Sequence, residues 1–251
     1  SDAIEWRVHN EVLLCEFYTE GECNGEGYAL DYAEGLYDNM ERPAANDISL
    51  AVTAYRATGD PKYMVVADAV VRWAHADRQV YLDGSTGSDE HFIKPWTVNM
   101  FLQALAEYIM VRQEFGLPDE YNARDSYLAY ADFLLEHVWL DLDPIESGAR
   151  GAYPFEWWFD GRQGDPNDEW AVGNNIPSIE NWLLLGADVQ AYAYALTGDE
   201  NYLARAAALF RAGSHDPWFV DGPRFYSETK QMVNGITHGH LFLYYWVNGV
   251  P

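Results

Sequence analysis

The feature that most constrains this chain is a phrase that occurs twice. Ala54-Tyr55-Arg56-Ala57-Thr58-Gly59-Asp60-Pro61-Lys62-Tyr63 and Ala193-Tyr194-Ala195-Leu196-Thr197-Gly198-Asp199-Glu200-Asn201-Tyr202 share Thr, Gly, Asp and both Tyr at the same spacing. A weaker copy, Phe115-Gly116-Leu117-Pro118-Asp119-Glu120-Tyr121, lies between them. These residue types describe a tight link between two helices. Gly59 and Gly198 supply the left-handed conformation that ends a helix. Asp60 and Asp199 can cap the next helix, and Pro61 and Pro118 suit a first helical turn. The trailing tyrosines can pack each hairpin shut.

Apolar periodicity around these links predicts helical hairpins. The first pairs a helix near Asn46–Ala57 with Pro61–Asp77, and the second pairs Trp96–Phe115 with Pro118–Val138. The third pairs Ser178–Leu196 with Glu200–Ala212, and a last helix near Glu228–Trp246 stands without a following partner. Residues Ile4–Tyr18 fit either a helix or strands, which leaves a short extended N-terminal segment open. The chain reads as all-α and as one domain over residues 1–251. Links within hairpins are short, whereas Val80–Pro95, Leu140–Pro177 and Gly213–Ser227 are long. Connections beyond about 12–15 residues are usually functional. Short links then share one rim and long, aromatic-rich links the other.

Composition excludes several classes of partner. The chain has 40 acidic and 15 basic residues, a formal net charge of −25, with lysine only at Lys62, Lys94 and Lys230. Such a surface repels phosphate backbones and anionic lipid, so neither nucleic acid nor membrane is expected as a partner. No run approaches the roughly 18 apolar residues of a membrane span. Ser1-Asp2-Ala3 has no basic or apolar leader region, so no signal peptide is expected at this start. Cys15 and Cys23 are either a local disulfide or two thiols. Zinc and haem motifs are missing, and no cofactor is expected. Calcium is considered only at Asp141, Asp143 and Glu146, which lack full EF-hand spacing.

Helical hairpins ending in Thr-Gly-Asp-x-x-Tyr, with long aromatic loops before each leading helix, resemble the α/α-toroid scaffolds of carbohydrate-active enzymes. Within that group the chain is most similar to the C-terminal toroid of polysaccharide lyases of the rhamnogalacturonan-exolyase type, over roughly Asn39–Trp246. The predicted helices are fewer than a six-hairpin toroid needs, so the expectation is a partial toroid or one domain of a larger protein. The resemblance implies that leading helices line the interior. It also implies a polysaccharide or oligosaccharide ligand, a secreted or periplasmic location, and an additional domain or homo-oligomeric assembly as partner.

Polar stripes at helical spacing mark three leading helices: Asn46, Ser49, Thr53 and Arg56; Trp96, Asn99, Gln103 and Glu107; and Lys230, Asn234 and His238. The apolar run Leu241–Trp246 predicts that the last of these helices is buried nearly all round. The segment Asp89-Glu90-His91-Phe92-Ile93-Lys94-Pro95-Trp96 gathers acid, imidazole, ammonium and indole just before a leading helix. A lyase acting on a uronate must neutralise the sugar carboxylate and remove the α-proton. His91, His238 and His240 are candidate bases; spacing with Asn234 favours His238 over His240. Lys94, Lys230, Arg42, Arg224 and Asn234 are candidate neutralisers. The catalytic set is therefore His238, His91, Lys94 and Arg224, with Tyr226 close by in sequence.

Sugar-binding candidates are Trp96, Asn99, Trp157, Trp158, Asn175, Asn181, Lys230, Asn234 and Arg42, because flat rings stack on pyranose faces while amides and cations meet hydroxyls and carboxylates. Trp157-Trp158 is the best ring platform, or equally a plug that folds its loop onto the core. A glycoside hydrolase on the same scaffold would instead need two carboxylates about 5–10 Å apart. Asp38, Asp47, Glu90, Glu156, Asp160, Glu180 and Glu228 are too many to choose among. A non-catalytic repeat domain that binds glycan or protein is the third reading.

Overall fold

The computed structural model describes residues 41–83, 92–119, 121–141, 151–154, 156–165, 173–174, 182–214 and 239–248. Among the described residues 74% lie in seven α-helices, with only two-residue strands beside them, so the chain is mostly helical as expected. In chain order these are α1 (Glu41–Thr58), α2 (Pro61–Asp83), β1 (Phe92–Ile93), α3 (Pro95–Glu114), α4 (Ala123–Phe133), β2 (Leu140–Asp141), β3 (Gly151–Ala152), β4 (Trp157–Trp158), α5 (Leu183–Thr197), α6 (Glu200–Ser214) and α7 (His240–Asn248). The chain divides into two compact units, Ser1–Thr86 with Met100–Tyr130, and Gly87–Asn99 with Ala131–Pro251. Helix α3 contributes its first turn to the second unit and the rest to the first.

The two full copies of the repeated phrase fold into the same link. Gly59 and Gly198 sit at φ of 69° and 74° and donate their N–H groups to Tyr55 O and Tyr194 O, each at 2.7 Å. The hydroxyls of Thr58 and Thr197 donate back to Ala54 O and Ala193 O, at 2.7 and 2.8 Å. Those hydroxyls also accept from the N–H of Asp60 and Asp199. The Asp60 and Asp199 carboxylates cap the next helix through Lys62 N (3.1 Å) and Asn201 N (2.9 Å). Several of the orphan groups at each joint are thus satisfied locally. Tyr63 and Tyr202 are buried, and the Tyr202 hydroxyl donates to Asp132.

The weaker copy diverges. Gly116 is left-handed at φ 65°, yet α4 starts only at Ala123, so Pro118 is not in a first helical turn. Asp119 reaches forward instead, its carboxylate accepting from Ala123 N at 2.8 Å and Arg124 N at 3.2 Å. A π-helical turn, Leu134–Val138, extends α4 to the predicted end.

In the first unit α1 and α2 pack as a hairpin over Ile48, Ala51 and Val52 on one side and Val66, Ala67 and Val70 on the other. A polar clamp ties α2 to α3. Asp68 accepts from Arg112 Nη1 at 2.6 Å and from the Tyr108 hydroxyl at 2.7 Å, while Arg112 Nε donates to Pro118 O. Burial and the neighbouring Asp68 carboxylate push the Tyr108 phenol far above its usual range.

In the second unit α5 and α6 form the tightest hairpin, and α7 packs on both. Helix α5 is buried without interruption from Leu183 to Ala193. The expected last helix is corrected here. Gly239 lies at φ 88°, outside helical space, so α7 begins at His240 and cannot continue one helix from Glu228. Nor is it buried all round: Phe242 and Tyr245 face inward, whereas Trp246 is 53% and Val247 76% exposed. Its apolar run is wider than the face the hairpin covers. The stripe residues Lys230, Asn234 and His238 lie outside the described residues, as do Ile4–Tyr18, Cys15 and Cys23.

Gly198→Ala meets open space, so its cost is the left-handed backbone alone, about 1–2 kcal/mol in urea unfolding. Asp68→Ala strands the buried Arg112 guanidinium and should cost more, roughly 3–5 kcal/mol in the same measurement.

Candidate functional site

Two short strands position the site in the second unit. β1 pairs antiparallel with β4 in the register Phe92↔Trp158 and Ile93↔Trp157. One step further along this register Lys94 faces Glu156. Alternation along a strand then places Phe92 and Lys94 on one side with Trp158 and Glu156. Lys94 Nζ stands 3.5 Å from Glu156 Oε1, with side chains 26% and 11% exposed. The Lys94 carbonyl starts α3 by accepting from Thr97 N and the Thr97 hydroxyl, both at 2.8 Å. The ammonium is therefore anchored at the entry to a leading helix.

The rings form the wall of this site. Phe92 and Trp158 lie 4.6 Å apart, Lys94 Nζ sits 5.5 Å from the Phe92 centroid, and the Arg162 guanidinium covers Trp158 at 4.0 Å. The Trp158 backbone is clamped by Asn174, whose Oδ1 accepts from Trp158 N at 2.6 Å and whose Nδ2 donates to Trp158 O at 2.7 Å. Trp158 is buried in this sandwich. Trp157 is half-buried and packs edge-on against Phe133 and Phe159. Neither indole presents an open face of the kind a bare platform would.

On the first turn of α3, Trp96 stacks on Trp182 at 4.9 Å. Asn99, one turn on, is fully buried. Trp96 Nε1, Asn99 Oδ1 and Trp158 Nε1 have no hydrogen-bond partner among the described residues.

Of the sequence candidates, Lys94, Trp96, Asn99, Trp157 and Trp158 all belong to this unit, and Lys94 and Trp158 share the layer around β1 and β4. Arg42 lies in α1 of the first unit. His91, Asn175, Asn181, Arg224, Tyr226, Lys230, Asn234 and His238 lie outside the described residues. His240 is exposed at the first position of α7. The polar stripes of α1 and α3 meet in the first unit. Glu107 bonds Ser49 beside Arg56, and burial raises its carboxyl above the usual range despite both neighbours. Asp141, the one described member of the calcium trio, accepts from Trp139 Nε1 and pairs with Arg205 at 3.7 Å.

Two residues escaped sequence reasoning. Arg162 carried no motif, and its role depends on the ring beneath it. Asp188 did carry a signal, a lone acid within the apolar run Leu183–Ala195. It is 1% exposed and accepts from Gly239 N at 2.8 Å and Phe242 N at 3.1 Å, which starts α7. Nearby in the same core Gln190 Nε2 donates to the Tyr153 hydroxyl at 3.2 Å, and burial drives that phenol above its usual range.

No family model, curated protein or solved structure matches the chain. The chemistry of the site therefore follows from its own residues.

Burial raises the Asp188 carboxyl above the ordinary 3.8, partly offset by the N–H groups of Phe242, Gly239 and Leu241 and by His240. A raised folded pKa means that this group's contribution is full below the ordinary value and fades as pH rises through the folded one. Asp188→Asn keeps an acceptor and removes that dependence, so its stability relative to the parent should climb with pH in thermal melts from pH 4 to 8. Asp188→Ala should lose about 1–3 kcal/mol by orphaning the N–H groups of Gly239 and Phe242.

Proposed function

We propose that this chain is a glycan-active enzyme, a polysaccharide lyase that cleaves a uronate-containing polysaccharide by β-elimination. The observation that carries the reading is the Lys94–Glu156 pair, set at the start of α3 in one layer with Phe92 and Trp158. A part-exposed ammonium held in place beside a buried ring stack is suited to meet and neutralise a sugar carboxylate.

Neutralising that carboxylate acidifies the neighbouring C–H. A base then removes the proton, the electron pair forms a carbon–carbon double bond, and the bond from the β-carbon to the glycosidic oxygen breaks. The departing oxygen takes up a proton. Lys94 is the neutraliser in this scheme, and His238 or His91 the base, with Arg224 and Tyr226 as further members of the set. In this reading the hairpins belong to a partial α/α toroid, and the enzyme acts outside the cell or in the periplasm, where such polymers are met.

A hydrolase reading draws support from one specific feature, the largely buried Glu156 carboxylate, which can serve as one of the two acids hydrolysis needs.

Incubation with a uronate polysaccharide should yield an unsaturated, ultraviolet-absorbing product. Lys94→Met should lower kcat/KM for that product by roughly 100-fold or more, with circular dichroism unchanged. New reducing ends without the chromophore would transfer the site to the hydrolase reading. Neither product across a panel of glycans that still bind would remove both.

A further inference from the structure

The layer that holds Lys94 ends on a second cation. Along it run the Lys94 ammonium, the Phe92 ring, the Trp158 ring and the Arg162 guanidinium, with separations of 5.5, 4.6 and 4.0 Å. Two of the chain's 15 basic residues therefore bracket one pair of stacked rings, in a protein of net charge −25.

Arg162 is held in place from several sides. Asn174 clamps the Trp158 backbone, and Gly161 N donates to Trp158 O at 3.1 Å to close the turn beneath the guanidinium. Asp160 accepts from Arg162 N at 2.8 Å and from Arg162 Nη2 at 3.2 Å. Asn174 N donates to Arg162 O at 2.9 Å. Nε and Nη1 have no hydrogen-bond partner among the described residues, and the side chain is 44% exposed. Stacking fixes the plane of a guanidinium without consuming its donors, so little rotamer entropy remains to be lost when an acceptor arrives.

We propose that Arg162 is a specificity-determining residue of this surface, offering its uncommitted donors to the carboxylate of an anionic sugar. This inference rests on the glycan reading above and adds to Lys94 a second residue that tells acidic from neutral ligands. Asp160 and Glu156 already balance the two cations. Discrimination therefore comes from short-range donor geometry rather than from a diffuse basic field, which the surrounding negative charge would cancel.

The probes are a galacturonate oligomer and the same oligomer with its carboxyls reduced to neutral alcohols, titrated calorimetrically into the full chain. The parent should prefer the acidic oligomer by about tenfold or more, the scale of one or two charge-assisted hydrogen bonds. Arg162→Gln should cut the preference several-fold, leaving the share that Lys94 supplies, with affinity for the neutral oligomer unchanged. Arg162→Lys, which keeps the charge but not the planar stack, should restore only part of it. Arg205→Gln, which removes a similar stack on Trp139 at 4.4 Å, should alter neither affinity.

An undiminished preference for the acidic oligomer in folded Arg162→Gln would overturn the role of Arg162 and leave the glycan reading standing. Equal affinity of the parent for both oligomers would also overturn it. Failure of the parent to bind either oligomer would bring down the glycan reading and this inference with it.

Discussion

Helix α5 is enclosed on every side from Leu183 to Ala193, and that enclosure governs the second unit. A buried helix satisfies its own backbone, but any polar side chain it carries must find partners inside the protein. Asp188 does so by accepting the N–H groups that open α7, so one carboxylate both resolves its own burial and decides where another helix begins. Gln190 does so in part: its Nε2 donates to the Tyr153 hydroxyl, which tethers the β3 end of the long connection to the same core, while its Oε1 has no hydrogen-bond partner among the described residues. The apolar length of α5 thus allows it to be central, while its two polar residues specify what surrounds it.

The hairpin links work by the opposite logic. Each is satisfied within a few residues, through the same Thr hydroxyl, Gly conformation and Asp cap at both full copies. Such a unit needs little from its surroundings, so it can recur wherever two helices must turn back. The weaker copy lacks the Thr and loses the compact form, and Asp119 then spans a longer gap to cap α4. The polar clamp of Asp68, Tyr108 and Arg112 supplies beside it a fixed point that the shorter links do not need.

The candidate site combines both kinds of organisation. Lys94 stood out in the sequence as one of three lysines in an acidic chain, directly before a leading helix. Glu156 could not be separated from the other carboxylates, because its place depends on the β1–β4 register rather than on neighbours in sequence. Trp158 was legible as an aromatic of consequence, but not as the middle of a stack. The same register turns it away from open solvent and beneath Arg162.

The sequence by itself determined the helical class, the two full hairpin links and the approximate course of most helices, because periodicity and capping act over a few residues. It misjudged the start of α4 and the extent and burial of α7. The tertiary structure decided those, since the α7 start depends on Asp188, 51 residues before Gly239, and exposure depends on how wide a face the hairpin can cover. Tertiary structure also chose which acid faces Lys94 and which arginine caps the ring stack. Both choices follow from strand pairing and ring stacking between distant segments, interactions that leave no local pattern of residues to read.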